Sequence, residues 1–433
     1  NQRQQRQHPR ANPTPHPTRR KLLIFGALGA AGLGVAAGIA NMPGGDTKPT
    51  GGEIGTDTGA DTDTVLPTVQ TPGLIGGPLK PQQWSQTLPD SVQVLTATDG
   101  TVLAGGSLLT AIDGATGTPH WSAPRSELDR SDIWQSGLPV VGDTVYNQTI
   151  KSELVALSAK NGTQSWSAPS PPTWYPGGVV GASPDLVVLW SASTDGVTNH
   201  RGLWAADPRH EGPTWSTTVP TFDGLPYYNQ DAGLVVISCP QTSQLLAYRT
   251  DDGKAAWTAA DTAGRQDAAF ATSVTGYGKN TYWATNRLYA FDENGKPLWP
   301  IGVTDSGENG MFHAVAADAD TVYAAVNVVF GSDVIVAYKA SDGAPVWRAA
   351  WPEQFHTPSL ECEMALGGGN LYVVDRFSRT LVALDAATGR TLWQYHDPKP
   401  AAKSDGDVYW HVAADDTHAY IAYGSTVRAF TAK

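Results

Sequence analysis

An alanine followed ten positions later by a tryptophan, repeated at near-constant intervals, limits what this chain can fold into more than any other feature. Ala111, Ala156, Ala205, Ala247, Ala290, Ala337, Ala383 and Ala429 succeed one another at steps of 45, 49, 42, 43, 47, 46 and 46 residues. Trp121, Trp166, Trp215, Trp257, Trp347 and Trp393 lie ten residues after their alanines, and Trp299 lies nine after Ala290 because the turn Asp292-Glu293-Asn294-Gly295 is one residue shorter. The clearest copy, residues 381–395, reads as two short strands around a turn. Leu381, Ala383 and Asp385 alternate with Val382 and Leu384, Ala387-Thr388-Gly389 reverses the chain, and Thr391-Leu392-Trp393 leads back. One hairpin cannot bury both of its faces, so units of this kind must stack on one another.

A second hairpin precedes each copy, as in residues 140–148, 317–326, 367–375 and 414–423, each a strand, a polar turn and a strand. Four strands per unit, a tryptophan closing each unit and a period of 42 to 49 residues describe a β-propeller blade. A period of about 20 to 35 would indicate a helical or leucine-rich solenoid instead. The eighth alanine, Ala429, has no tryptophan after it, while Trp84 has no alanine strand before it. Pairing the strand around Trp84 with residues 425–430 completes an eighth blade from the two ends and leaves no sheet edge open between blades. The expectation is an all-β, eight-bladed propeller over residues 81–433.

Residues 111–121 (AIDGATGTPHW), 159–166 (AKNGTQSW) and 383–393 (ALDAATGRTLW) resemble the pyrroloquinoline-quinone-type propeller repeat, whose tryptophans dock between adjacent blades. A flat indole stacks across such a boundary only where the residue opposite is as small as alanine. The resemblance assigns Trp84, Trp121, Trp166, Trp215, Trp257, Trp299, Trp347 and Trp393 to blade docking. It also implies three classes of function. The architecture looks like the extracytoplasmic propeller of bacterial receptor serine/threonine kinases, like quinone-dependent dehydrogenases, and like the propeller lipoprotein of outer-membrane protein assembly. The dehydrogenases of the family carry an adjacent-cysteine disulfide over the cofactor and a calcium ion. Here the two cysteines, Cys239 and Cys362, fall in the fourth and seventh units, so two separate, mostly buried thiols are expected and no quinone cofactor. No lipobox cysteine follows the apolar segment, which weighs against the lipoprotein. A kinase would have to precede Asn1, with which the chain opens in place of a methionine.

Ahead of the propeller, residues 1–21 form a basic arm carrying six Arg and Lys and no acid. Since the whole chain carries −12, the remainder carries −18, a balance that argues against nucleic acid as a partner of the body. Residues 22–40 are 19 uncharged residues, about 28 Å long as a helix and just enough to cross a hydrocarbon core of about 30 Å. They read either as a transmembrane anchor or as a signal of the twin-arginine type, Arg19-Arg20 standing at its start. Positive charge before the segment places the propeller outside the cytoplasm, tethered to the cell membrane, or secreted if the segment is cleaved. Gly26, Ala30, Gly34 and Gly38 make a small-residue stripe through which two anchors could pair. Residues 41–80, rich in Gly, Thr, Asp and Pro, read as a disordered tether with a mean reach of roughly 35 Å.

No nucleophile elbow, phosphate loop, CxxC or HExxH occurs, and no catalytic residue or metal ligand is expected. Asp143, Asp185, Asn280, Asp320, Asn370 and Asp416 recur at the first hairpin turn of successive units, where they suit turn chemistry better than a metal array. The candidate site lies in the connections from each tryptophan strand to the next unit's inner strand. They carry Trp134, Trp174, Tyr175, Tyr227, Tyr228, His313, Phe355, His356, Tyr409, Trp410 and His411, all expected on one face around the mouth of the central channel. Rings and imidazoles converging there either form a pocket for a small molecule, a glycan or a protein partner, or plug the channel and pack between blades.

Overall fold

The computed structural model describes residues 77–125, 138–149, 153–171, 174–193, 200–210, 212–222, 226–239, 242–261, 273–302, 304–305, 308–328, 334–350, 362–375, 379–397 and 410–432. The basic arm, the apolar segment 22–40 and the tether as far as residue 76 lie outside them. Among the described residues no helix is long and apolar enough to cross a membrane.

Eight antiparallel sheets follow one another along the chain. Blade 1 begins at Val94–Thr98 and ends at Pro119–Pro124; blades 2 to 7 end with Gln164–Pro169, Pro213–Pro220, Ala255–Ala260, Pro297–Gly302, Pro345–Ala350 and Thr391–His396. Seven of the sheets have four strands, and blade 6 gains a fifth, Thr304–Asp305, that extends its inner strand into a small hairpin. Blade 8 takes three strands from Trp410 to Thr431 and its outermost, Trp84–Thr87, from the other end of the described chain. Trp84 pairs with Ala429 there, so the ring closes as expected.

The same register holds throughout. Ala111, Ala156, Ala205, Ala247, Ala290, Ala337 and Ala383 face Trp121, Trp166, Trp215, Trp257, Trp299, Trp347 and Trp393 as direct cross-strand partners, each followed by a one-residue register shift. The alanine is therefore the indole's neighbour in its own sheet. What covers the ring from the next blade is the hairpin turn, whose carbonyl accepts the indole N–H. Trp84, Trp121, Trp166, Trp215, Trp257, Trp299 and Trp347 donate to Gly114, Ala159, His210, Thr250, Glu293, Ala340 and Ala386 at 2.7 to 3.1 Å. The docking geometry thus explains the Asp-x-x-Thr-Gly turn as well as the tryptophan.

The buried apolar residues divide into eight clusters, one for each boundary between blades. At the boundary of blades 7 and 8, for example, Tyr372, Leu381 and Trp393 meet Val412, Ile421 and Phe430. A strand that buries both faces needs apolar residues at successive positions, which is why the second and third strands read as continuous runs such as Leu234–Cys239. Stability therefore resides in nearest-neighbour contacts around the ring.

The boundary of blades 7 and 8 departs from the pattern because the turn that would cap Trp393 is the place where the ends of the ring meet. The incoming chain fills it. Leu79 pairs in parallel with Gln394, and the Lys80 ammonium donates to the Thr431 carbonyl at 2.7 Å while lying 4.9 Å from the centre of the Trp393 ring.

Candidate functional site

Antiparallel alternation gives the ring two unlike faces. One carries the tight turns between first and second and between third and fourth strands; the other carries the connections between second and third strands and from blade to blade. We call these the turn face and the loop face.

On the turn face several carboxylates bond their own turns. Asp113 accepts the Ala115 and Thr116 amides and the Thr116 hydroxyl, and Asp385 accepts the amide and hydroxyl of Thr388. The recurrent first-turn residues reach further: Asp143 accepts the Ser158 hydroxyl and Asp185 pairs with Arg209, each at the other hairpin turn of its blade, and Asn370 of blade 7 donates to the Ala432 carbonyl of blade 8. The Thr116 hydroxyl holds the Asp113 carboxyl below the usual range, its amide adding to the effect. Asp415 is lowered too, burial pushing it up but the Thr417 hydroxyl and the Thr417 and His418 amides outweighing that. No cluster of three or more metal-ligating side chains forms among the described residues.

The loop face is where the sequence places its eleven candidates. Trp134, Phe355, His356 and Tyr409 lie outside the described residues. Trp174 and Tyr175 begin the inner strand of blade 3, Trp174–Ser183, and His313 lies within that of blade 6, Glu308–Ala317. Tyr227, on the inner strand of blade 4, donates its hydroxyl to the Gly276 carbonyl of blade 5 at 2.9 Å, and burial pushes its phenol up to about 12. Tyr228 backs onto Gly181 of blade 3. Trp410 is 2% exposed and packs against Tyr423 at 5.2 Å in the boundary of blades 7 and 8. These three are fastened between blades.

His411 is different. Its Nδ1 lies 2.9 Å from Oε1 of Glu363, whose other oxygen accepts the Val412 amide at 3.1 Å. Glu363 stands half-exposed on the inner strand of blade 7 and caps the inner edge of blade 8. With the Nδ1 proton directed at the carboxylate, a neutral imidazole presents Nε2 as an acceptor. That atom is buried and has no hydrogen-bond partner among the described residues. Gln93 Oε1 shares this condition.

Further buried polar groups collect on the same face at blades 1 and 2. Asn147 Oδ1, Thr149 Oγ1 and both amide atoms of Gln148 lack hydrogen-bond partners among the described residues. The Arg125 guanidinium is also buried there, desolvation drawing its pKa down to about 10. Glu363, Gln93, Arg125, Asn147 and Gln148 carry no periodic signal. Only the topology, by ending their strands on one face, brings them to notice.

A closed ring of eight tryptophan-docked blades with a polar, partly unsatisfied loop face is a propeller of the pyrroloquinoline-quinone-like repeat class. The chain belongs to the family described as outer membrane protein assembly factor BamB, whose profile matches residues 80–258 and 284–430. It is 28% identical over 148 residues to a tetrathionate hydrolase of Acidithiobacillus ferrooxidans, a match spanning 31% of this chain and 30% of that relative. Its fold is similar to that of BamB from Moraxella catarrhalis, with a TM-score of 0.55 and 15% identity over 82% of this chain and all of the other. A quinohemoprotein alcohol dehydrogenase from Pseudomonas putida HK5 gives 0.53 and 14%, covering 82% of this chain and 78% of the enzyme. At such identities the likeness of the solved structures concerns the fold alone.

Proposed function

We propose that this protein is a non-catalytic propeller, tethered outside the cytoplasm by residues 22–40, that binds a ligand or partner on its loop face. The observation carrying this reading is the His411–Glu363 pair on the loop face. There Glu363 holds Nδ1 of His411 while the buried Nε2 has no hydrogen-bond partner among the described residues, and Gln93, Asn147 and Gln148 carry further unmet polar atoms on the same face. Such groups cost about 1 to 3 kcal/mol each when left unmade. A fold whose stability rests elsewhere keeps them at a site of recognition. The two non-adjacent cysteines support binding over quinone-dependent oxidation. A sensor role following a kinase domain rests on resemblance alone.

The test is a binding screen of the full chain against peptide and glycan panels, read by thermal shift, with His411→Ala beside the parent. A ligand that stabilises the parent and not the variant supports the reading. A bound quinone chromophore with calcium-dependent dye reduction would overturn it.

A second reading, an assembly scaffold, has one observation in its favour. The outer edge of blade 7 already accepts one isolated parallel bridge, Leu79 to Gln394, and a client segment docking on a blade edge would extend that pairing.

A further inference from the structure

We infer that the outer edge of blade 4, residues 255–260, is a docking site for an extended segment of another polypeptide, one with basic residues at its ends. The inference is independent of the loop-face reading and concerns a different surface.

The outermost strand of every blade is a sheet edge, and in a closed ring these are the edges left open to another chain. The protein itself shows how one is used. At blade 7 the Gln394 amide donates to the Pro78 carbonyl at 3.1 Å, and the Gln394 carbonyl accepts the Lys80 amide at 2.8 Å. Gln394 is the residue after the docking tryptophan and faces Val382 within its sheet. That register recurs from blade to blade, so the backbone groups of the corresponding residues point outward too: Ser122, Ser167, Ser216, Thr258, Pro300 and Arg348 in blades 1 to 6.

Most of these edges are blunted. Proline, which has no amide hydrogen, stands in the outermost strands of blades 1, 2, 3, 5 and 6. Blade 8 presents only four residues, Trp84–Thr87. Two strands of six residues carry neither proline nor lysine, arginine or an acid: Thr391–His396 of blade 7 and Ala255–Ala260 of blade 4. The first takes up the chain's own residues 78–80. The second is the equivalent edge, and no strand among the described residues pairs with it.

The side chains leave the approach open. Trp257 and Ala259 are buried, Ala256 and Thr258 half-buried, and Ala255 and Ala260 exposed. Methyl groups neither shield the main chain nor form a pocket, so recognition runs through main-chain hydrogen bonds and charge supplies the preference. The turn leading into the strand offers Asp251, 3.6 Å from Arg249 and with its side chain 78% exposed, and the chain beyond its basic arm is strongly acidic. A second copy is the wrong occupant. Two such acidic bodies repel, and a pair of short edges buries far less than the roughly 1,200 Å² of a stable interface. A segment that is extended when free brings no second body with it.

The probe is the synthetic octapeptide KTVTVTVK, labelled and titrated into the full chain by fluorescence anisotropy, beside the same peptide N-methylated at its valines. The parent should bind the first, with affinity tenfold or more lower for the second. Thr258→Pro copies Pro300 of blade 5 and should fold, yet weaken binding at least tenfold; Thr258→Val keeps the amide and should bind as the parent does. Ala260→Pro, copying Pro124 and Pro169 of blades 1 and 2, gives the same reading if Thr258→Pro does not fold. The Thr258 amide should exchange its hydrogen rapidly in the free chain and become protected when the peptide binds. No binding, or equal binding by Thr258→Pro and the parent, would overturn the assignment, and so would loss of binding in His411→Ala, which would put the peptide on the loop face. Protection of the Thr258 amide in the free chain would overturn it as well. The occupant is then a second copy if the protein sediments as a dimer that Thr258→Pro dissociates, and a segment of the chain itself if it sediments as a monomer.

Discussion

The Trp347 indole of blade 6 donates to the Ala386 carbonyl of blade 7 at 2.8 Å, and Gly389 of the same turn lies against the face of that ring. One hairpin turn therefore satisfies the indole's polar edge and covers its apolar face. Gly389 has a φ of +69°, and a Cβ added there would stand 2.5 Å from the indole. Gly142, with a φ of +58°, has nothing within 4 Å of such an atom. Gly389→Ala should thus cost the left-handed penalty of about 1 kcal/mol or more plus an overpacking cost of about 1 to 3 kcal/mol, and Gly142→Ala only the first. Urea unfolding of both variants checks this; equal losses would mean that the turn glycine does not bear on docking.

Trp410 and His411 are neighbours in sequence with opposite expected outcomes. Trp410 is buried between blades 7 and 8, so Trp410→Ala should destabilise by about 3 to 5 kcal/mol, as a docking tryptophan would. His411→Ala should leave the fold within about 1 kcal/mol and abolish loop-face binding. Thermal midpoints alongside a binding titration separate the two.

The blades were legible because their signal is periodic: the spacing from Ala383 to Trp393 reports a cross-strand pair that recurs in every copy, and Trp84 without an alanine strand before it pointed to closure with Ala429. The candidate site was less so. Aromatic residues in the connections attract notice, yet Tyr227 braces Gly276 and Trp410 fills a boundary. Glu363, Asn147 and Gln148 occur once each, in strands whose neighbours are apolar, and their significance comes from which face the strand ends on. Composition does not carry that information.

Acid should weaken the ring through its turns. Asp113 and Asp415 have folded-state carboxyl pKa values below the ordinary value of 3.8. The stability they contribute is present above that value and lost as pH falls through their folded values, because the unfolded chain takes up the proton first. Thermal midpoints of the parent should hold from pH 7 to about 5 and then fall steeply toward pH 3. Asp113→Asn with Asp415→Asn should lower the midpoint at neutral pH and flatten the acid limb. An unchanged acid limb would show that other carboxylates govern it.

Closure places its own demand on the boundary of blades 7 and 8, where no hairpin turn caps Trp393. The Trp393 Nε1 is buried without a hydrogen-bond partner among the described residues, so the bond that joins the other seven boundaries does not form there. In its place Arg428 of blade 8 pairs with Asp397, just past the last strand of blade 7, at 3.1 Å with both side chains buried. Removing one member strands the other, so Asp397→Asn should cost about 3 to 5 kcal/mol. Replacing both at once, Asp397→Leu with Arg428→Met, removes two desolvation penalties with the attraction and should come within about 1 kcal/mol of the parent. Equilibrium urea unfolding of Asp397→Leu, Arg428→Met and the double variant gives the coupling directly. Additive losses would mean that the pair does not join these blades and that Lys80 and the Trp393–Phe430 stack hold the ring shut.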